Sequence, residues 1–257
     1  MSRSKSRLPQ HITWRRVARW CAFAVLFVLV APVPIIIGLS VVQPPFTAVM
    51  VQQTVSRLFN GTRPVWPKHS AVSRDKISPN LRRAVLASED DRFYLHNGID
   101  FVEIDNALER RRRGGRLRGA STLTQQVAKN LFLWNGRSYV RKGLELYITL
   151  WLELILSKER ILDIYLNLAE WGPSIYGAEA AARAHYGKSA ATLSRDESAR
   201  LAAILPSPRR WPPNGSVATR RAVTILDRMQ YAAPKEEPKT ASTSRSPSRR
   251  PQTTPTR

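Results

Sequence analysis

The sequence predicts a mainly helical domain held behind a single membrane-spanning helix. Three observations carry this reading. Residues 20–42 run without a formal charge, and as a helix they would extend about 34 Å, enough for a hydrocarbon core of roughly 30 Å. From Ser78 to Tyr231 apolar residues recur at three- and four-residue spacing behind Ser and Pro start signals. No segment alternates apolar and β-branched residues with polar ones, as a half-buried strand requires.

The apolar run has a direction. Arg3, Lys5, Arg7, Arg15, Arg16 and Arg19 crowd its N-terminal side, whereas beyond it the first basic residue is Arg57 and the first acidic one Asp75. That asymmetry puts residues 1–19 in the cytoplasm and the bulk of the chain outside. A cleaved signal peptide is the alternative, but its apolar region is usually about 7–15 residues long, so an uncleaved anchor over 20–42 is favoured. Pro32 and Pro34 would kink it.

Residues 43–69 read as a polar connector with one amphipathic stretch, Val49–Phe59, broken by Asn60-Gly61 and the following prolines. The folded domain spans 70–232. Ser78-Pro79 starts a helix carrying Leu81, Val85 and Leu86 inward and Glu89 near its end. Asn97-Gly98 is a turn, and Phe101–Leu108 a short second helix. Residues 110–119, arginine-rich with three glycines, read as a mobile basic loop. Helices follow from Ser121, over Ser138–Leu156, over Lys158–Leu168 behind Ser157, over Ala178–His185, over Arg195–Leu205 behind a Ser194–Glu197 capping box, and over Val217–Tyr231. The Ser-, Pro- and Arg-rich residues 233–257 cannot form a core and read as a disordered tail.

The composition narrows function without choosing it. The chain has 257 residues, 41 basic against 19 acidic, for a net charge of +22. Such a charge suits nucleic acid, anionic lipid or a phosphate-bearing substrate. One cysteine, Cys21, excludes an internal disulfide framework and a CxxC zinc site. No Walker A loop and no HExxH occurs.

Glu89-Asp90-Asp91 is one of few acidic clusters in a basic chain. It is either a solvated helix terminus or a catalytic carboxylate, and acidic residues at a helix C-terminus carry a mild electrostatic penalty that calls for a reason. Glu145 follows Arg141 and Lys142 at four and three residues, which puts the three on one side of a helix. It is either a surface ion-pair cluster or the second carboxylate of a glycosidic site. The polar run Ser121–Asn130 fits an anion- or sugar-binding surface, or ordinary capping.

Four ordered segments then resemble the monofunctional biosynthetic peptidoglycan transglycosylases, relatives of the glycosyltransferase domain of bifunctional penicillin-binding proteins. They are Glu89-Asp90-Asp91-Arg92-Phe93-Tyr94-Leu95-His96-Asn97-Gly98, Arg118-Gly119-Ala120-Ser121-Thr122-Leu123-Thr124-Gln125-Gln126 running on to Lys129-Asn130-Leu131, Arg141-Lys142-Gly143-Leu144-Glu145, and Ile161-Leu162-Asp163-Ile164-Tyr165-Leu166-Asn167. The match runs from about Ile77 to Trp211. Ala120 departs from the glycine many bifunctional relatives carry.

The resemblance implies a lysozyme-like helical lobe and a smaller, membrane-proximal jaw lobe. It implies lipid II and the growing glycan strand as substrates, with inverting polymerisation into β-1,4 strands and release of undecaprenyl diphosphate. Glu89 is then the general base, and Glu145 the second acid, orienting nearby cations. Lys129, Arg141 and Lys142, with Arg118, meet the diphosphate. Ser121, Thr122, Gln125 and Gln126 line the cleft. Phe93, His96, Tyr165 and Asn167 support the structure, His96 by locking the Asn97-Gly98 turn. No tightly bound cofactor is implied. A divalent cation, Mg²⁺ or Mn²⁺, is often used in the family, but no dedicated metal site is legible. Membrane lipids are implied partners, with cell-division proteins or a transpeptidase as further candidates and no nucleic acid. The location implied is the bacterial inner membrane, single-pass, with a periplasmic catalytic domain. The rivals are an anchored lytic enzyme of the lysozyme-like superfamily, a non-enzymatic envelope scaffold and an anchored nucleic-acid binder.

Overall fold

The computed structural model describes residues 14–61, 66–115, 119–136 and 138–231. The basic N-terminal stretch, the Ser/Pro/Arg tail and Arg118 lie outside the described residues, apart from Trp14 to Arg19.

Helices α1 (Trp14–Val30) and α2 (Pro32–Leu39) form an apolar rod of 26 residues, Trp14–Leu39, about 39 Å long at the α-helical rise. It is long and apolar enough to cross a membrane. The joint falls at Ala31, immediately before Pro32, whose ring and missing N–H interrupt the hydrogen-bond ladder. Almost the whole rod is exposed, as a lipid-facing helix should be, until Ile36 and Leu39 enter the core of the folded domain.

Downstream helices begin where side-chain caps put them. Thr47 accepts from Met50 N at 3.1 Å to start α3 (Ala48–Phe59), and Ser78 with Pro79 starts α4 (Pro79–Glu89). Asp100 caps α5 (Phe101–Arg112), Thr122 caps α6 (Leu123–Phe132), and Ser138 caps α7 (Tyr139–Ile155). Ser157 caps α8 (Lys158–Leu168). Helix α9 (Ala178–Tyr186) ends at Gly187 in the left-handed conformation, α10 (Arg195–Ile204) opens on the Ser194–Glu197 capping box, and α11 (Ser216–Arg228) closes the described domain. Each such cap contributes about 1 kcal/mol.

Three expectations need correction. Helix α5 runs four residues past Leu108, through Arg110–Arg112, where a loop was expected. Arginine is a good helix former, and Glu103–Arg110 and Glu109–Arg113 pairs steady the last turns until Gly114. Short strands also exist. β1 (Lys68–His69), β2 (Glu170–Gly172) and β3 (Ile175–Tyr176) form a sheet in the order β1-β3-β2, with Lys68 opposite Ile175 in parallel and β2 antiparallel to β3. The connector is thereby built into the domain: β1 joins the sheet, and Val49 and Met50 are buried. Just beyond it, Asn167 bonds Val72 through both backbone groups, at 2.9 and 3.0 Å.

The core lies where α4, α6, α8 and α10 converge. Leu81, Leu123, Ile161, Ile164 and Leu201 are all fully buried there, and Leu152 of α7 joins them. Ala199, Ala202 and Ala203 on α10 are fully buried as well, and their small side chains let α4 and α11 pack closely on either side. Hydrogen bonds join the C-terminal end of α4 to the N-terminal half of α6, from Gln126 to Glu89 and from Leu123 N to Asp90, and the candidate site is built at that junction.

Candidate active site

Glu89 is the last residue of α4. Its Oε2 accepts from Gln126 Nε2 at 3.1 Å and its Oε1 from Ser88 Oγ at 3.2 Å. The Tyr165 hydroxyl, from α8, donates to Gln126 Oε1 at 3.2 Å. A fully buried phenol therefore fixes the amide that fixes the carboxylate. Burial pushes the Glu89 carboxyl above the ordinary glutamate range; the bonds from Gln126 and Ser88 and the charge of Arg221 pull the other way, and Asp90 adds to the rise.

The residue after Glu89 locks the junction. Asp90, buried, accepts from Leu123 N at 2.9 Å through Oδ2, at the N-terminus of α6, and its Oδ1 lies 2.9 Å from His96 Nε2. A carboxylate at a helix N-terminus is electrostatically favourable. His96 thus acts on Asp90. The Asn97-Gly98 turn is held instead by the Thr122 hydroxyl and the Gln125 amide, which donate to the Gly98 carbonyl at 2.7 and 3.3 Å. Phe93 is buried, with Lys158 Nζ 4.5 Å above its ring.

On α7, Glu145 is 4 % exposed and clasped by two cations. Arg141 Nη1 meets Oε2 and Lys142 Nζ meets Oε1, each at 2.5 Å. Both oxygens are taken, so Glu145 holds its cations in place and does not stand open as a base. Lys142 Nζ also reaches Gln125 Oε1 at 2.8 Å and Ser121 Oγ at 3.3 Å. The neighbours Gln125 and Gln126 of α6 therefore join two centres: one faces the α7 cations, the other Glu89.

Lys129 is the remaining cation. Among the described residues it has no hydrogen-bond or ion-pair partner, and burial lowers its pKa, with Glu145 pulling it back up. It lines a cavity of about 530 Å³ with Gln126, Asn130, Tyr165, Glu170 and Arg209. A second polar cavity of about 200 Å³ touches Glu89, Asp91, Ser121, Thr122 and Arg228. Gln126 lines the first and bonds the carboxylate that lines the second. A partly desolvated ammonium without a direct ion-pair partner among the described residues, in one cavity, thus lies one amide away from the Glu89 carboxylate in the next. Such an arrangement can receive an anionic leaving group on one side and a hydroxyl on the other.

Sequence reasoning missed Asp90 and Asp100 as individual groups, and Glu170 and Arg209, an ion pair at 2.9 Å in the larger cavity. The acidic cluster Glu89-Asp90-Asp91 signalled Asp90; nothing local signalled Asp100, Glu170 or Arg209. Asp90, His96 and Asp100 bring ligand atoms within 4.8 Å of one another, so this buried cluster could coordinate a divalent cation. All four carboxylate oxygens already accept in the protein, from His96, Leu123 N, Glu103 N and Arg92 Nε, while His96 Nδ1 has no partner among the described residues. A cation would have to share those oxygens and lie close to Arg92.

Comparison with known proteins defines the class. A family model described as transglycosylase matches residues 54–230, and the chain belongs to that family of enzymes. Among its curated relatives are biosynthetic peptidoglycan transglycosylases of Pseudomonas fluorescens (strain SBW25), 48% identical over 83% of this chain and 86% of the relative, and of Pseudomonas entomophila (strain L48), 48% identical over 80% and 86%. The one of Xanthomonas campestris pv. campestris (strain B100) is 46% identical over 82% and 87%.

Proposed function

We propose that this protein is a membrane-anchored peptidoglycan glycosyltransferase that polymerises lipid II into uncrosslinked β-1,4 glycan strands and releases undecaprenyl diphosphate. The observation that carries the proposal is the pairing of a mostly enclosed, hydrogen-bonded Glu89 with the cation set Lys129, Arg141 and Lys142, bridged by Gln125 and Gln126.

Glu89, once ionised, takes the proton from the acceptor sugar's 4-hydroxyl as that oxygen attacks the anomeric carbon of the donor. The bond to the diphosphate oxygen breaks as the new glycosidic bond forms on the opposite face, so the centre inverts without a covalent sugar–enzyme intermediate. Charge develops on the diphosphate, and Lys129, Arg141 and Lys142 meet it. Glu145 keeps two of these cations aimed; Arg118 and Ser121 belong to the same surface. Gln126 and Tyr165 orient the base, and Thr122, Gln125, His96, Phe93 and Asn167 hold the frame. A divalent cation, Mg²⁺ or Mn²⁺, would serve as charge neutralisation, held by Asp90, His96 and Asp100 or by the substrate diphosphate.

The same reading assigns α4 and α6–α11 to a lysozyme-like lobe, and α3 with the short sheet to a membrane-proximal jaw. The positive N-terminal flank favours a cytoplasmic N-terminus and a periplasmic catalytic domain at the inner membrane. Membrane lipids are then constant neighbours, and division proteins or a transpeptidase are the natural recipients of the strand.

The test is incubation of the purified full-length protein with labelled lipid II in detergent. The expected product is long strands that lysozyme cuts. Intact lipid II, or digestion of added glycan strands without lipid II, would contradict the proposal, the second result in favour of a lytic enzyme.

A further inference from the structure

The apolar rod is more than a tether. Its last turn is seated in the folded domain: Ile36 is 0% and Leu39 5% exposed, whereas Ile35 and Ile37 are more than half exposed. The buried pair is three residues apart and so defines one docking face, and α2 packs along α7. Further up, the Tyr147 hydroxyl of α7 donates to the Leu29 carbonyl, and Tyr147 is edge-to-face with Trp151, their ring centroids 6.4 Å apart.

The helix end itself is held by an arginine from elsewhere in the chain. A helix leaves its last carbonyls without intrahelical partners. Here the turn Ser40–Val42 uses the carbonyls of Ile37 and Gly38. The Leu39 carbonyl is met by Arg160 Nε at 2.6 Å, and the Val42 carbonyl by Arg160 Nη2 at 2.8 Å. Arg160 is the third residue of α8, where Ser157 accepts from its backbone N–H at 3.2 Å. A guanidinium at a helix C-terminus also complements the helix dipole. Its planar fork spans two carbonyls, which a lysine ammonium cannot reproduce.

We propose that Arg160 is a latch that fixes the anchor helix to the catalytic domain, making it a positioning residue for a substrate delivered from the lipid plane. The two helices that take hold of the anchor also build the site. α7 supplies Arg141, Lys142 and Glu145 from its first turns, and α8 supplies Tyr165. A flexible tether would raise local concentration alone. A latched helix also sets the height and tilt of the cleft over the bilayer, so that a diphosphate on a membrane-embedded tail meets the cations already oriented. The latch itself stands on geometry; its role in turnover rests on the reading of the substrate as a lipid.

Two measurements on the full-length protein separate these. The first places one spin label on Cys21, the chain's single cysteine, and a second on Val223→Cys, an exposed position of α11. In vesicles the distance distribution should be narrow in the Arg160 protein and broad in Arg160→Ala. A broad distribution in both, or a narrow one in both, overturns the latch. The second compares turnover of full-length lipid II in vesicles with turnover of a short-tailed, water-soluble analogue in detergent. Arg160→Ala should lose about tenfold or more in kcat/KM in the vesicles and little with the analogue, with Arg160→Lys between. Equal losses in both formats, or none in either, overturn the positioning role. A wild-type protein that turns over neither substrate counts against the glycosyltransferase reading, and the spin-label distances still decide the latch.

Discussion

At the scale of single residues the site is a set of groups made uncomfortable on purpose. Glu89 is held where burial opposes its charge, and Lys129 is a partly buried ammonium with no direct ion-pair partner among the described residues, though the charges of Glu145 and Glu170 reach it. Both shifts have a sign that pH can read. As the proposed base Glu89 must be ionised to accept a proton, and its pKa is raised, so kcat/KM should begin to fall on the acid side above the ordinary glutamate value of about 4.3. In its proposed role Lys129 must be protonated to meet a diphosphate, and its pKa is lowered, so the alkaline limb should begin below the ordinary lysine value of about 10.4. A profile flat from mildly acidic pH down to the free-glutamate range would remove Glu89 as the base. The same shift bears on stability. A carboxyl whose pKa is raised by folding favours the folded state only while protonated, and its ionisation above that pKa lowers stability. Neutralising it should therefore leave the melting temperature unchanged or higher, which thermal unfolding of Glu89→Gln at neutral pH checks.

At the scale of elements, the caps and turns do the positioning. Gly98 has φ +82°, and a Cβ there would come within 2.5 Å of Thr149 Cγ2 and 2.9 Å of Glu153 Cγ. Its carbonyl is the acceptor that Thr122 and Gln125 share. Gly98→Ala should cost about 2–4 kcal/mol in urea unfolding, from left-handed strain plus overpacking against α7. A loss under about 0.5 kcal/mol, the size typical of surface substitutions, would mean the turn is not the rigid joint described. Most helix starts were legible in the sequence because Ser78, Ser138, Ser157 and Ser194 are local signals read within three residues. The end of α5 was not, since a run of arginines reads equally as a basic loop or as a salt-bridged helix. The sheet was not either: strands of two or three residues are too short to alternate, and β1 reaches β3 across more than a hundred residues. The candidate site residues were nameable from their motifs. Their connections were not: that Gln126 joins Tyr165 to Glu89, or that Asp90 holds α6, is set by the convergence of α4, α6 and α8, which no local spacing encodes.

At the scale of the whole molecule, charge, anchor and cleft serve one geometry. On the proposed reading, a net charge of +22 draws the domain toward anionic headgroups and a lipid diphosphate, and the apolar rod, seated through Ile36 and Leu39, keeps it there. The core of α4, α6, α8 and α10 then holds a carboxylate and a cation set on either side of one pair of glutamines. The account stands or falls on that carboxylate. The most direct measurement is the rate of strand formation from labelled lipid II by the full-length protein beside Glu89→Gln, with the fold of both monitored by thermal unfolding. The account predicts long strands from the first and a loss of about 10²-fold or more in the second at an equal or higher melting temperature. Comparable rates from the two proteins would contradict it.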